Sequence, residues 1–330
     1  MVLSYDVITS RNGGPALPWD DRIRRRLKLR DIDILMAVIQ AGSMGKAAGR
    51  FNMTQPAVSK VIADLEQTLG VRLLDRSRQG VEPTPHGLAL IKRGVAVFDE
   101  LRQGIQDLDF LSDPTAGEIR IACTEPIAAA IVSPVIYRLL QQYPRMTFHV
   151  VAGDIALLHR ELAERNVELV IARLTGPIGE QHSAEVLFHD PLVVAAGAKH
   201  PLTRRRGKIE LADLLNEPWA LLPFDSAFGS LVAERFHACG LGPPRLAVTS
   251  VSINLRNELI ATGHFLTVVP GFALRLPRKH PFLRALPVEL PNTRMPIAII
   301  TLKNRLLSPI ARLFIERVRA VTKPLARNTP

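Results

Sequence analysis

From Leu27 onward, apolar residues recur at helical spacing: Leu29, Ile32, Leu35, Met36 and Ile39 share one face. That period predicts an amphipathic helix. Gly42 stops it, and Ser43 is placed to cap the next one. Met44 to Phe51 predicts a short helix, with small Ala47 and Ala48 where helices must approach. Asn52-Met53 makes a turn. Thr54 is placed as an N-cap, and Pro56 sits in a first turn, where its missing N–H costs nothing. Val58, Ile62, Leu65 and Leu69 then form a buried stripe that Gly70 ends. Val71–Leu74 and Gly80–Thr84 predict a short two-stranded hairpin with Arg76, Arg78 and Gly80 at its tip. Pro85 begins a long helix to about Leu111. Its Phe98, Leu101, Ile105 and Leu108 follow the spacing of a coiled-coil seam. Such a seam pairs with another copy or covers its own domain; the helix's length and position between domains favour pairing.

Asp113-Pro114-Thr115-Ala116-Gly117 predicts a hinge, and from Glu118 strands and helices alternate. Strands are expected at Ile119–Cys123, Thr147–Ala152, Glu168–Ala172, Leu192–Ala196, Trp219–Leu222, Leu246–Ser250, Phe265–Val269 and Pro296–Thr301. Helices are expected at Pro126–Tyr143, Ile155–Arg165 and Pro309–Val321. This rhythm predicts a mostly parallel sheet covered on both faces. Ala196-Gly197 and Val269-Pro270-Gly271 are placed to carry the chain between two subdomains. The expected organisation is a basic extension (1–26), a DNA-binding domain (27–84, helix-turn-helix about 44–63), a linker helix (85–112) and an α/β domain (113–330). In the last, subdomain I covers about 118–195 and 270–325, and subdomain II about 196–269.

Charge sharpens this picture. Of the net +11, +8 falls in residues 22–94, where 14 Lys/Arg meet 6 Asp/Glu. A basic segment beside a near-neutral body points to a polyanion partner for that segment; a solvated basic face is the other reading. Cys123 and Cys239 have no metal-type spacing and form no disulfide scaffold. No secretory signal opens the chain and no apolar run approaches the ~20 residues of a membrane span. A cytoplasmic protein with no membrane partner is expected.

In a helix-turn-helix the second helix enters the major groove and presents its N-terminal side chains to base edges. Here those are Gln55, Ala57, Ser59 and Lys60. Gln suits adenine, Lys suits guanine or phosphate, and Ala57 can meet a thymine methyl. Ser43, Thr54 and the helix N-termini suit phosphates. Arg76 and Arg78 would reach the backbone or the adjacent minor groove. The pattern Gly42-Ser43, Ala47-Ala48, Thr54-Gln55-Pro56-Ala57-Val58-Ser59, Leu65-Glu66, Leu69-Gly70-Val71, Leu73-Leu74, Arg76, Thr84 and Gly87 resembles the winged helix-turn-helix of LysR-type transcriptional regulators. The chain departs at Met44 and Leu74, where Phe is usual, at Gly45, where a polar residue is usual, and at Pro83.

The resemblance covers residues 27 to about 320. It implies an α/β protein: an all-α winged helix-turn-helix, a long linker helix and a two-subdomain effector domain resembling type 2 periplasmic binding proteins. It implies homodimers assembling to tetramers on promoter DNA, contact with RNA polymerase, a small-molecule effector and no cofactor. Thr84 joins the DNA-binding set on this basis.

Ligands in open α/β sheets sit beyond the carboxyl ends of strands. That rule selects Thr124-Glu125-Pro126, Arg173, Phe224-Asp225-Ser226, Ser250, Ser252, Asn254 and Thr267 as effector contacts. Thr124 and Ser252 suit helix caps equally well, and Arg173 suits an ion pair with a nearby acid. Glu125 points to a neutral polyol, sugar or cationic ligand, or to neutralisation by Arg173. No catalytic constellation appears: the histidines lack metal-ligand spacing, and no nucleophile elbow, phosphate loop or dinucleotide fingerprint follows a strand. The other reading kept is a regulator without small-molecule input, set by oligomer state or thiol redox.

Overall fold

The computed structural model describes residues 25–77, 80–275 and 282–327. Most of the expected extension 1–26 lies outside them. The chain divides into two compact units, 1–99 and 100–330. The division falls inside the long helix rather than at the expected hinge. That hinge segment is a bonded turn: the Asp113 carboxylate accepts the Thr115 N–H (3.0 Å) and hydroxyl (2.6 Å) and pairs with Arg145.

The first unit holds α1 (Leu29–Ala41), α2 (Met44–Arg50), α3 (Gln55–Leu69), the hairpin β1 (Leu74–Ser77) and β2 (Gly80–Pro83), and the start of α4 (Pro85–Ser112). Its core joins Ile34, Leu35 and Val38 of α1 to Ala47 and Ala48 of α2 and to Val58, Ile62 and Leu65 of α3. Met44 and Leu74 are buried in it, so both departures from the usual Phe are packing exchanges. The first hairpin strand begins at Leu74, not at Val71. Leu73 is buried instead, and the Leu73 and Leu74 N–H groups both donate to Glu66 Oε1 (2.8 and 3.1 Å).

The second unit carries two five-stranded sheets. The first is built from β3 (Ala116–Cys123), β4 (Arg145–Ala152), β5 (Leu169–Arg173), β6 (His182–Asp190) and β12 (Met295–Leu302), in the order β4-β3-β5-β12-β6. The second is built from β7 (Leu192–Gly197), β8 (Trp219–Leu221), β9 (Leu246–Thr249), β10 (Leu266–Pro270) and β11 (Leu283–Ala285), in the order β11-β7-β10-β8-β9. Neither is mostly parallel. β12 runs antiparallel to β5 and β6, and β7 runs antiparallel to β10 and β11. The antiparallel strands enter where the chain crosses between sheets.

Both crossovers differ from those expected. The first lies at Pro191: β6 ends at Asp190 in the first sheet and β7 begins at Leu192 in the second. The second lies between Leu290, in the second core, and β12. Residues 192–195 and 283–290 therefore belong with subdomain II, although Phe272 packs into the core of subdomain I. The helix expected over Pro126–Tyr143 is continuous but widens to π-type turns over Ala128–Val132 before α5 (Ser133–Gln142). Pro134 explains the widening: it has no N–H and its ring crowds the carbonyl four residues back. α6 (Ile155–Ala163), α7 (Ala227–Ala238), α8 (Ile253–Ala261), α9 (Gly271–Arg275) and α10 (Pro309–Arg327) complete the unit. Among the described residues no helix is long and apolar enough to cross a membrane.

One close approach sets the angle between α4 and the residues that lead into the wing. A Cβ on Gly87 would lie 2.1 Å from the Leu73 carbonyl oxygen. Gly87→Ala should therefore lower the stability of the first unit by about 1–3 kcal/mol, the usual cost of overpacking. Thermal unfolding followed by circular dichroism checks this, with the transition of the second unit unmoved.

Candidate DNA interface and effector cleft

The residues expected to contact DNA stand on α2, α3 and β1 or at their ends. Ser43 caps α2 by accepting the Lys46 N–H (3.5 Å), and Thr54 caps α3 by accepting the Ala57 N–H (3.4 Å). Gln55, Pro56 and Lys60 are exposed on the first turns of α3, and Ala57 and Ser59 are half-buried beside them. Gly45 faces this end: a Cβ there would sit 3.7 Å from Gln55 Oε1. Arg76 is exposed on β1 and its Nη1 donates to Ser59 Oγ (3.2 Å). Arg78 lies outside the described residues.

Thr84 is a correction. It is 7% exposed, and its hydroxyl donates to the Arg72 carbonyl (2.8 Å) and accepts the Gly87 N–H (3.1 Å). That makes it a buried joint between the wing and α4, its hydroxyl committed to the backbone. On α4, Leu101, Ile105 and Leu108 are 47%, 60% and 65% exposed, with Phe98 half-buried.

The predicted effector contacts divide into two groups. Thr124 makes no side-chain cap bond, so its half-exposed hydroxyl stays available, beside exposed Glu125 and half-exposed Pro126. Exposed Asp225, Ser252 and Asn254 and half-buried Phe224, Ser226 and Ser250 stand at the carboxyl ends of β8 and β9. Ser226 caps α7 through the Gly229 N–H (3.1 Å), and Ser252 caps α8 through the Leu255 N–H (3.3 Å). A surface cavity of about 480 Å³ lies elsewhere, between β6 and α10, lined by Glu185, Val186, Arg319 and Lys323 among others. None of the predicted effector residues lines it.

Thr267 and Arg173 are corrections. Thr267 is 4% exposed and its hydroxyl donates to the Ala220 carbonyl (2.9 Å), inside the second sheet. The Arg173 guanidinium is 8% exposed and already saturated on its inner side. Nη2 donates to Asp190 Oδ2 (2.9 Å), and Nη1 donates to the Asp190 (2.5 Å) and Thr293 (3.2 Å) carbonyls. Asp190 is fully buried and also receives Arg275 on Oδ1 (2.5 Å). Burial pushes the Asp190 carboxyl up and the Arg173 guanidinium down, each opposed by its partner's charge. Thr293 Oγ1 in turn accepts the Leu192 N–H (3.1 Å). Both crossovers are thus stitched through Arg173.

Sequence reasoning missed Asp190, Arg275 and Thr293. The available signal was a charged residue at each of two strand ends, Arg173 after the apolar Leu169–Ala172 and Asp190 before Pro191; opposite signs at two strand ends could have paired them.

Residues 29–88 match the bacterial regulatory helix-turn-helix protein, lysR family, and residues 112–323 match the LysR substrate binding domain. The chain is similar to the HTH-type transcriptional regulator GbpR of Azospirillum brasilense, 29% identical over 93% of this chain and 90% of that protein. Solved neighbours include CbnR, a LysR family transcriptional regulator, with TM-score 0.59, 21% identity and 90% and 99% coverage of the two chains. Full-length CbnR complexed with its target DNA also aligns, with TM-score 0.51, 22% identity and 90% and 100% coverage. At those identities the structural likenesses show the fold. The helix-turn-helix with its wing, the two-sheet second unit and the two family matches together make this chain a member of the LysR family of transcriptional regulators.

Proposed function

We propose that the protein is a sequence-specific DNA-binding regulator controlled by a small molecule held between the two subdomains of its second unit. The observation that carries this is the combination in one chain of a capped reading helix within a basic segment and a two-sheet unit crossed twice at one place. Gln55, Ala57 and Lys60 would face base edges, while Ser43, Thr54, Pro56 and Arg76 would meet the backbone or the adjacent groove. Thr124, Glu125, Pro126, Phe224, Asp225, Ser226, Ser250, Ser252 and Asn254 would contact the effector. With Arg173 committed to Asp190, the formal charge of this contact set comes from Glu125 and Asp225, which suits a neutral hydroxylated or cationic ligand. Exposed Leu101, Ile105 and Leu108 would pair two copies through α4, and dimers would pair again on promoter DNA.

An effector changes DNA binding to the extent that it prefers one subdomain arrangement over another. Thiol control has a poorer basis at Cys123: burial pushes that thiol up to about 12, so little thiolate exists at neutral pH.

Two outcomes test the reading. Gln55→Ala should cut discrimination between selected and random DNA by about ten-fold, the worth of one bidentate base contact; a binding titration against both DNAs measures it, and unchanged discrimination would remove Gln55 from the base-reading set. A thermal-shift screen across neutral, cationic and anionic metabolites should find a stabilising compound of the first two classes. Thr124→Ala should lose that shift while keeping DNA affinity, and a retained shift would take Thr124 out of the site.

A further inference from the structure

The wing and the reading helix are tied together by several independent contacts. Glu66 of α3 accepts the Leu73 and Leu74 N–H groups at the foot of β1. At the far strand, the Val81 N–H donates to the carbonyl of Gly42, the residue that ends α1 (3.1 Å). Gly80 fits there because its φ is +139° and because a Cβ would lie 2.9 Å from that same oxygen. The hairpin is therefore anchored at both strands, on α3 and on the end of α1. Above these anchors stands one side-chain contact: Arg76 Nη1 donates to Ser59 Oγ at 3.2 Å.

This contact changes the part Ser59 can play. Its hydroxyl is on the flank of α3 that faces the wing, engaged by a cation that is itself exposed and long. An untethered arginine of this kind loses rotamer freedom when it docks on DNA, a cost that weakens binding. Holding it beforehand removes part of that cost. We propose that Ser59 is a positioning residue for Arg76 rather than a reader of bases. It fixes the distance between the major-groove helix and the wing cation, so the two bind DNA as one unit. The pair then senses groove width beside the bases that Gln55 and Lys60 meet, which is a readout of DNA shape.

The inference rests on the DNA-facing assignment of Arg76 made above, and a double-mutant cycle separates the two. Full-length wild type, Ser59→Ala, Arg76→Ala and the double variant are titrated against a DNA site selected from a random pool by the wild type. Ser59→Ala should weaken binding about three- to ten-fold, the range expected for loss of preorganisation. It should cost little further in the Arg76→Ala background. Ser59→Thr, which keeps the hydroxyl, should restore most of the affinity, a rescue that general damage to α3 would not show. Pools selected by Ser59→Ala should keep the central base preferences and lose those at the flanks. If the two single effects multiply, or if Ser59→Ala alters the central preferences, Ser59 acts on DNA directly and the proposal is overturned. If Arg76→Ala binds as wild type does, the wing contact fails and the positioning role fails with it.

Discussion

The guanidinium of Arg173 and the carboxylate of Asp190 meet where the chain passes between its two sheets, and the second unit is organised around that meeting. Asp190 ends the last strand before the first crossover, and Thr293 lies in the second. One arginine from the end of β5 bonds the backbone of both. Arg275 closes the other side of the carboxylate. Removing one partner from such a buried pair costs about 3–5 kcal/mol, because a buried charge is left unmatched. The cluster is placed as a pivot, about which relative motion of the subdomains would turn. Thr124, just after β3, and Asn254, in the first turn of α8, stand on different subdomains and would change their separation in such motion.

The first unit meets a different constraint with the same economy. A two-strand hairpin is marginal alone. Here it is held by Glu66, which accepts the Leu74 N–H, by the Gly42 carbonyl, which accepts the Val81 N–H, and by the Thr84 joint that follows it. Those contacts leave Gln55, Lys60 and Arg76 exposed on a rigid support, which is what reading a groove requires.

Helical elements are legible in the sequence because their signals are local: Thr54 and Ser43 cap where expected, and Val58, Ile62 and Leu65 fill the core as their spacing requires. The sheets are less so. β6 carries Glu185 and His189 among its apolar residues, which hides its period and with it the true crossover at Pro191. The site is obscured in the same way. Thr84, Thr267 and Arg173 each stand at an element's end, where polar residues reach ligands, yet each is turned inward to satisfy buried backbone groups. Sequence position does not separate those two uses, because the partners of Arg173 lie 17 and 120 residues away.

A pivot at Arg173 and Asp190 concentrates the cost of local opening on the bonds around that pair. Hydrogen exchange of wild type and Asp190→Asn tests it at the Leu192 and Gly271 amides, which bond across the pivot, with Ile121 and Val194 in the two sheets as references. The pivot amides should exchange at least about ten-fold faster in the variant, as local opening without the buried pair requires, while the sheet amides keep their protection. Unchanged exchange at Leu192 and Gly271, or equal loss of protection throughout both sheets, would contradict it.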